Sequence, residues 1–189
     1  MSAQDELDLD FPEPLDVPEI PSVITEREML DLLHRRFGQR SYNGGIDAPR
    51  YICAEHIRIR AGFEARTMDF LAVDTWESSM RSGSLTVHGV EVKVSRSDWL
   101  RERKNPDKSV QTMAYATNCW LAVPALTVAR PDELPDGWGL LHIVRNRGLV
   151  AKVQPARRHT GSLAPTAIAG LLRAVVKTAE ARVIVKAAA

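Results

Sequence analysis

Met68-Asp69-Phe70-Leu71-Ala72-Val73 and Val90-Glu91-Val92-Lys93-Val94 are the two stretches of sequence that decide the fold of this chain. Both are mostly apolar and contain residue types that favour strands, and the Ser- and Gly-rich stretch 77–84 between them is typical of a loop. This pattern predicts a β-hairpin in which residues 65–76 pair with residues 85–95. The first of these strands has apolar residues on both faces, which favours burial within a larger sheet.

Three charged side chains interrupt these apolar strands: Asp69 in the first, and Glu91 and Lys93 in the second. Because side chains alternate along a strand, Glu91 and Lys93 project to the same side, and the hairpin would bring Asp69 beside Glu91. An isolated Glu-x-Lys triplet is usually a cross-strand ion pair on an edge strand. Two carboxylates in contact repel each other, however, and a divalent cation between them explains the pair better. We therefore expect Asp69 and Glu91 to bind Mg²⁺ (or Mn²⁺), with Lys93 beside the metal-bound water or a phosphate.

The flanking segments predict helices around a central sheet. Thr25 and Glu28 form a capping box for a first helix over about 25–37, with Gly38 as its C-cap. A compact apolar run at 119–123 predicts a buried strand. The other predicted elements are helices at 50–61, 97–104, 106–117 and 164–185, and a hairpin of strands 139–144 and 149–154. The fold class that follows is α/β, with a mixed central β-sheet flanked by helices.

Charge is distributed unevenly along the 189 residues, although the formal net charge is only +1. Residues 1–24 contain seven acids and four prolines but no Lys or Arg, which predicts a disordered or extended acidic arm. The remaining 17 acids and all 25 basic side chains give residues 25–189 a charge of +8, which favours an anionic partner. We expect residues 25–189 to form a single domain.

Composition excludes several classes of protein. No apolar run approaches the roughly 18 residues of a membrane helix, and the acidic N-terminus lacks the apolar segment of a secretory signal. Cys53 and Cys119, the two cysteines, lie in apolar stretches and are expected to be buried free thiols. The five histidines are scattered, without zinc-ligand spacing. A cytoplasmic protein without membrane contact is therefore predicted.

The combination of Asp69, a hairpin and Glu91-x-Lys93 resembles the PD-(D/E)XK nuclease superfamily. The stretch 54–99, together with Leu-Pro-Asp-Gly-Trp-Gly-Leu-Leu at 134–141, is similar to a family of small phage and bacterial MmcB-like DNA repair proteins. The similarity covers about 50–155 and leaves out the acidic arm and the last helix.

This resemblance implies a restriction-endonuclease-like core and a metal-dependent DNA nuclease that acts in DNA repair, recombination or phage DNA processing. Asp69 and Glu91 would hold the metal with the backbone carbonyl of Val92, and Lys93 would act on the nucleophilic water. A first-helix Glu often completes the site in the superfamily. Glu55, on the helix predicted at 50–61, is the matching catalytic residue, and Glu64 is its rival. Met68 precedes Asp69, so the proline in the superfamily's name is absent here.

Gln111 and Tyr115 match the Gln-x-x-x-Tyr pattern of RecB-like members of the superfamily. Their i, i+4 spacing would put an amide and a phenol on one helix face near the DNA backbone. The alternative is a solvated glutamine and a half-buried core tyrosine. A basic run follows the strand of Glu91, and from it Arg96 and Lys108 are expected to contact DNA phosphates. The alternative for this run is an ordinary solvated face.

Two other functions fit the same residues. One is a catalytically silent DNA-binding or protein-interaction module that keeps the nuclease fold, and the other is an interaction protein whose acidic arm mimics DNA. The arm, residues 1–24, is expected to lie over the DNA-facing surface or to contact a partner. Cleavage of both strands at one locus would favour a homodimer.

Overall fold

The computed structural model describes residues 23–38, 40–43, 46–61, 64–75, 85–104, 113–160 and 165–187. Most of the predicted acidic arm, Lys108 and Gln111 lie outside these ranges. The described helices are α1 (Glu26–Phe37), α2 (Arg96–Arg103) and α3 (Pro165–Ala187). The strands are β1 (Arg40–Asn43), β2 (Ile46–Pro49), β3 (Tyr51–Ala61), β4 (Glu64–Asp74), β5 (Thr86–Val92), β6 (Asn118–Val123), β7 (Gly139–Val144) and β8 (Gly148–Val153). Among the described helices, none combines the length and the apolar character needed to cross a membrane.

Strands β3 to β8 form one six-stranded sheet in chain order, which confirms the α/β class with a mixed sheet flanked by helices. β3, β4 and β5 pair antiparallel, β5, β6 and β7 pair parallel, and β8 returns antiparallel to β7. β1 and β2 form a separate two-stranded sheet. Because β5, β6 and β7 run in the same direction, their carboxyl ends meet at one edge of the large sheet.

The predicted antiparallel pairing of β4 with β5 is confirmed. Phe70 lies opposite Val90, and the ladder extends from there to Asp74 opposite Thr86. The next position beyond Phe70 in this register places Asp69 opposite Glu91. The loop predicted at 77–84 lies outside the described residues.

The helix predicted over 50–61 is wrong, because this segment is strand β3. It pairs with β4 along its length, from Tyr51 opposite Asp74 to Ala61 opposite Glu64. Apolar residues do recur there at helical spacing, but three of them are isoleucines, whose branched side chains lose freedom in a helix and suit a strand. Pairing over 11 residues then outweighs the local pattern. Glu55 therefore projects from the sheet and not from a helix.

The helix predicted over 106–117 is wrong in its last part. Residues 113–115 form a turn, and residues 105–112 lie outside the described ranges. The Thr117 hydroxyl accepts the backbone N–H of Val87 at 2.8 Å and donates to the Val87 carbonyl at 3.0 Å. These two bonds dock the chain beside β5 at the start of β6, where a continuing helix would not fit. Tyr115 lies in the turn, half-buried against the core.

The core forms two layers, one on each face of the sheet. α1 covers one face, and its capping box is present as predicted, with the Thr25 N–H donating to Glu28 Oε2 at 2.7 Å. Trp99 of α2 and Leu171 and Val175 of α3 pack on the other face. The buried residues of α1 are Met29, Leu30, Leu33 and Phe37. These buried contacts hold the helices against the sheet and so determine the positions of the first residues of each helix.

Candidate active site

A cleft of about 300 Å³ opens at the edge of the sheet where β5 ends. Two capping signals bring side chains to it. Ser95 caps α2 by accepting the Asp98 N–H at 3.2 Å, so the chain turns soon after Val92. The capping box starts α1 at Glu26, which also reaches the cleft. The lining residues are Glu26, Asp69, Val92, Lys93, Val94, Asp98, Arg101 and Glu102.

Asp69 is held in place by the neighbouring strand. Its Oδ2 accepts the backbone N–H of Val92 at 2.8 Å, just beyond the last ladder pair of β4 and β5. Burial raises the pKa of this carboxyl above its usual value, and the bond from Val92 and the charge of Lys93 offset only part of that effect. The folded protein therefore stabilises the ionised form of Asp69 less well than water does.

Glu91 and Lys93 form a close ion pair. Lys93 Nζ donates to Glu91 Oε1 at 2.6 Å, and Glu102 Oε2 lies 3.9 Å from the same ammonium. Glu91 is 8% exposed, and burial together with the Asp69 carboxylate raises its pKa to about 7 in spite of Lys93. Burial alone would lower the pKa of Lys93, but the carboxylate of Glu91 outweighs it, so the net shift is upward.

The structure thus brings Asp69, Glu91 and Lys93 together, and their charges suit a divalent cation. The pKa of about 7 for Glu91 reflects first its burial and then the repulsion from Asp69, which the Lys93 ammonium offsets only in part. A cation that prefers oxygen ligands would relieve that repulsion. Val92, whose carbonyl is the third predicted ligand, lines the same cleft.

Two residues that no sequence pattern assigned to the site, Glu26 and His56, adjoin Asp69. One ligand atom from each of the three lies within 4.8 Å of the others, and His56 Nδ1 is 3.9 Å from Glu26 Oε1. His56 has a left-handed backbone conformation, with φ of 48°, which is uncommon outside glycine. The capping box locates Glu26 at the start of a helix, but nothing in the sequence relates that helix to Asp69.

Glu55, the predicted auxiliary acid, is bound elsewhere. Arg27 donates to both of its oxygens at 2.7 and 2.8 Å, His34 Nε2 lies 2.7 Å from Oε1, and Arg182 donates to Oε1 at 3.0 Å. Burial alone would raise the pKa of Glu55, but the bonds from Arg27 and His34 hold it well below its usual range. Glu55 therefore joins α1, β3 and α3, and Glu26 is the first-helix acid that lines the cleft. The side chain of its rival, Glu64, is not among those described.

Of the predicted DNA contacts, Arg96 is engaged within the protein. Its guanidinium forms two bonds with Glu133 and donates to the Val128 carbonyl at 3.1 Å. Arg103 and Arg130 also reach Glu133, and the bonds from Arg96 hold the pKa of that carboxyl well below its usual range. This cluster fixes α2 to the segment that precedes β7. Arg101 is the α2 arginine that lines the cleft, and it is largely exposed.

The site therefore combines two repelling carboxylates, one ammonium, and an adjoining carboxylate and imidazole. Such a set can bind a divalent cation and place a positive charge beside an anionic substrate. No protein-family model, curated protein or solved structure matches this chain.

Proposed function

We propose that this protein is a Mg²⁺- or Mn²⁺-dependent DNA nuclease with a restriction-endonuclease-like core of the PD-(D/E)XK type. The observation that carries the proposal is the close grouping of Asp69, Glu91 and Lys93, of which Asp69 and Lys93 line the cleft and Glu91 is buried beside Lys93. The mixed sheet supports it, because β5 delivers Glu91 and Lys93 to the edge where β6 and β7 also end.

In this proposal Asp69 and Glu91 hold the cation with the Val92 carbonyl, and Glu26 takes the auxiliary place that the sequence assigned to Glu55. A bound cation would polarise the scissile phosphate and acidify a water molecule. The raised pKa of Lys93 keeps its ammonium protonated at neutral pH. Lys93 is then suited to stabilise negative charge on the phosphate and not to remove a proton.

The DNA would approach along α2, whose last turn carries Arg101. Arg101 lines the cleft, and its contact with Asp98 at 3.4 Å is an exposed ion pair that a phosphate can replace at little expense. Arg101 therefore takes the role predicted for Arg96, whose guanidinium is bound by Glu133.

The decisive experiment incubates the protein with labelled single-stranded, duplex and branched DNA, with and without Mg²⁺ or Mn²⁺. Lys93→Ala and Asp69→Asn are compared with wild type and with Lys152→Ala, which removes an exposed lysine on β8. We expect metal-dependent cleavage by wild type and Lys152→Ala, and strongly reduced cleavage by the other two variants at unchanged circular dichroism. Equal cleavage by all four proteins would contradict the assignment.

A catalytically silent DNA-binding module is the second candidate. It is supported by the engagement of Lys93 with Glu91 at 2.6 Å, which leaves its ammonium turned toward the protein. Calorimetric titration with Mn²⁺ separates the two. DNA binding without any Mn²⁺ binding would favour the silent module, whereas Mn²⁺ binding that is lost in Asp69→Asn supports the nuclease.

A further inference from the structure

A second and larger cleft, of about 740 Å³, lies between the last turns of α1 and the turn that joins β7 to β8. It shares no lining residue with the cleft of Asp69. Four of its lining residues are arginines, Arg35, Arg36, Arg145 and Arg147, and none is Asp or Glu. We call this surface the arginine groove.

Three of the four arginines of the groove differ from most others in the described part of the chain. Seven arginines outside it contact carboxylates: Arg27, Arg50, Arg96, Arg101, Arg103, Arg130 and Arg182. Within the described residues, Arg35, Arg36 and Arg147 have no carboxylate partner. Arg36 is half-buried, and its Nη1 donates to the Leu149 carbonyl at 2.8 Å, so its charge is held in place without a counter-ion. Concentrated, uncompensated guanidinium groups favour an anionic ligand.

The turn at the groove is well defined. The Arg147 N–H donates to the Val144 carbonyl at 3.0 Å, and left-handed conformations at Asn146 (φ 62°) and Gly148 (φ 70°) close it. Arg145 and Arg147 are exposed on either side of Asn146. The β7–β8 turn therefore presents two guanidinium groups from a rigid base.

The arginine groove lies within reach of the candidate active site. Val92 is level with Ala122 and Ala122 with Leu141, so the β7–β8 turn lies beyond the same edge of the sheet as Lys93. Arg145 lies two strands away from Lys93, at about 5 Å per strand, and three residues further along, at about 3.3 Å per residue. Because these two directions are perpendicular, the backbone separation is roughly 14 Å. A few nucleotides of one DNA strand can bridge that span.

We infer that the arginine groove binds the phosphate backbone of a single DNA strand that continues into the cleft of Asp69. The choice of nucleic acid as the anion rests on the proposed function. Guanidinium forks match phosphate oxygens in two-point contacts. Half-buried Tyr51 and the apolar side chains of Leu32 and Ile143 also line the groove and offer surface for unpaired bases.

The test measures binding of a labelled single-stranded oligonucleotide by fluorescence anisotropy in the presence of EDTA, so that cleavage plays no part. The oligonucleotide is longer than the roughly 16 nucleotides of a large single-strand site. The double variant Arg35→Gln/Arg147→Gln is compared with Arg58→Gln/Arg173→Gln, which removes two exposed arginines outside the groove. We expect the Kd of the groove variant to be about tenfold higher at ~0.1 M salt. The slope of log K against log salt should fall by about 1.4, because two phosphate contacts are lost.

Equal affinity of the two double variants would overturn the inference. A synthetic peptide of residues 1–24, which carries seven acids, is titrated in parallel. If the groove variant loses affinity for this peptide but not for DNA, the groove binds an acidic protein segment and the inference is overturned. Because EDTA removes the metal, this assay measures DNA binding by the groove independently of cleavage. The groove can therefore bind DNA in a protein that does not cleave it, and a nuclease can lack this binding.

Discussion

Glu55 and Glu91 have similarly exposed side chains and behave in opposite ways. Their side chains are 10% and 11% exposed, and each has a basic side chain within 2.7 Å. Around Glu55 the neighbours are Arg27, His34 and Arg182, and its pKa lies well below the usual range. Around Glu91 there is one ammonium and a second carboxylate, that of Asp69, and burial together with that carboxylate raises the pKa of Glu91 to about 7.

The difference shows that burial alone does not determine what an acid does in this fold. Several basic groups surround Glu55, which therefore links three secondary-structure elements. Glu91 has only one basic neighbour, so the protein does not fully neutralise the negative charge there. A buried carboxylate with a raised pKa, next to a like charge that lines a cleft, is typical of a functional site. Sequence reasoning placed both acids in one site, and the structure separates them by the charge of their surroundings.

The largest effect is expected from Lys93→Ala, which removes the ammonium that stabilises charge beside Glu91. We expect DNA cleavage to fall about 10³-fold, the loss typical for one charge-stabilising donor, while Mn²⁺ still binds. Single-turnover rates and calorimetry measure the two properties. Lys152→Ala should retain both, and a parallel loss of Mn²⁺ binding in Lys93→Ala would make Lys93 part of the cation site.

Glu55→Gln is expected to act on stability alone. It removes the charge that Arg27, His34 and Arg182 surround, and the free energy of unfolding should fall by about 3 kcal/mol. Urea denaturation near pH 7 measures this, with Glu180→Gln on the exposed face of α3 as the matched control. A loss of Mn²⁺ affinity in Glu55→Gln would return Glu55 to the active site.

The same variant predicts the pH dependence of stability. Because folding lowers the pKa of Glu55, its contribution is fully present above the ordinary value of 4.5 and is lost as pH falls below it. The difference in free energy of unfolding between wild type and Glu55→Gln should therefore be constant from neutral pH to about pH 5 and shrink in more acidic solution. A difference that grows on acidification would contradict the charge assignment.

Glu91→Gln is expected to weaken Mn²⁺ binding about tenfold and to leave stability near pH 8 within about 1 kcal/mol of wild type. The first effect follows from the loss of an anionic ligand. The second follows because folding raises the pKa of Glu91, so the ionised carboxylate is disfavoured in the folded protein at that pH. Calorimetry and urea denaturation on the same preparations measure both. A variant that binds Mn²⁺ as wild type does would exclude Glu91 as a ligand.

The smallest effects are expected at the edge of the site. Glu26→Gln should weaken binding of Mg²⁺ and Mn²⁺ by a similar factor of about three, because it removes one outlying carboxylate. His56→Ala should weaken Mn²⁺ binding and spare Mg²⁺, because imidazole nitrogen suits transition metals and not magnesium. Competition titrations with the two ions distinguish these patterns, and equal effects of His56→Ala on both ions would exclude the ring as a ligand.

Whether a feature could be predicted from the sequence depends on how far apart in sequence the interacting residues lie. Capping at Thr25 and pairing of β4 with β5 were predictable because each depends on residues close in sequence or on a simple alternation. The strand at 51–61 was missed because its apolar spacing also fits a helix, and only pairing with β4 decides between them. The surroundings of Glu55 could not be predicted because Arg182, which donates to it, lies 127 residues further along the chain.

The sequence by itself determined the strands that carry Asp69, Glu91 and Lys93, because alternation sends Glu91 and Lys93 to one side and the hairpin aligns Asp69 with them. Only the tertiary structure decided which acids keep a repulsive neighbour and which are neutralised, since that depends on where α1 and α3 dock on the sheet. The arginine groove arises in the same way, because residues more than 100 positions apart meet there. Charges interact through space, and the packing of the helices on the sheet determines the distances between them.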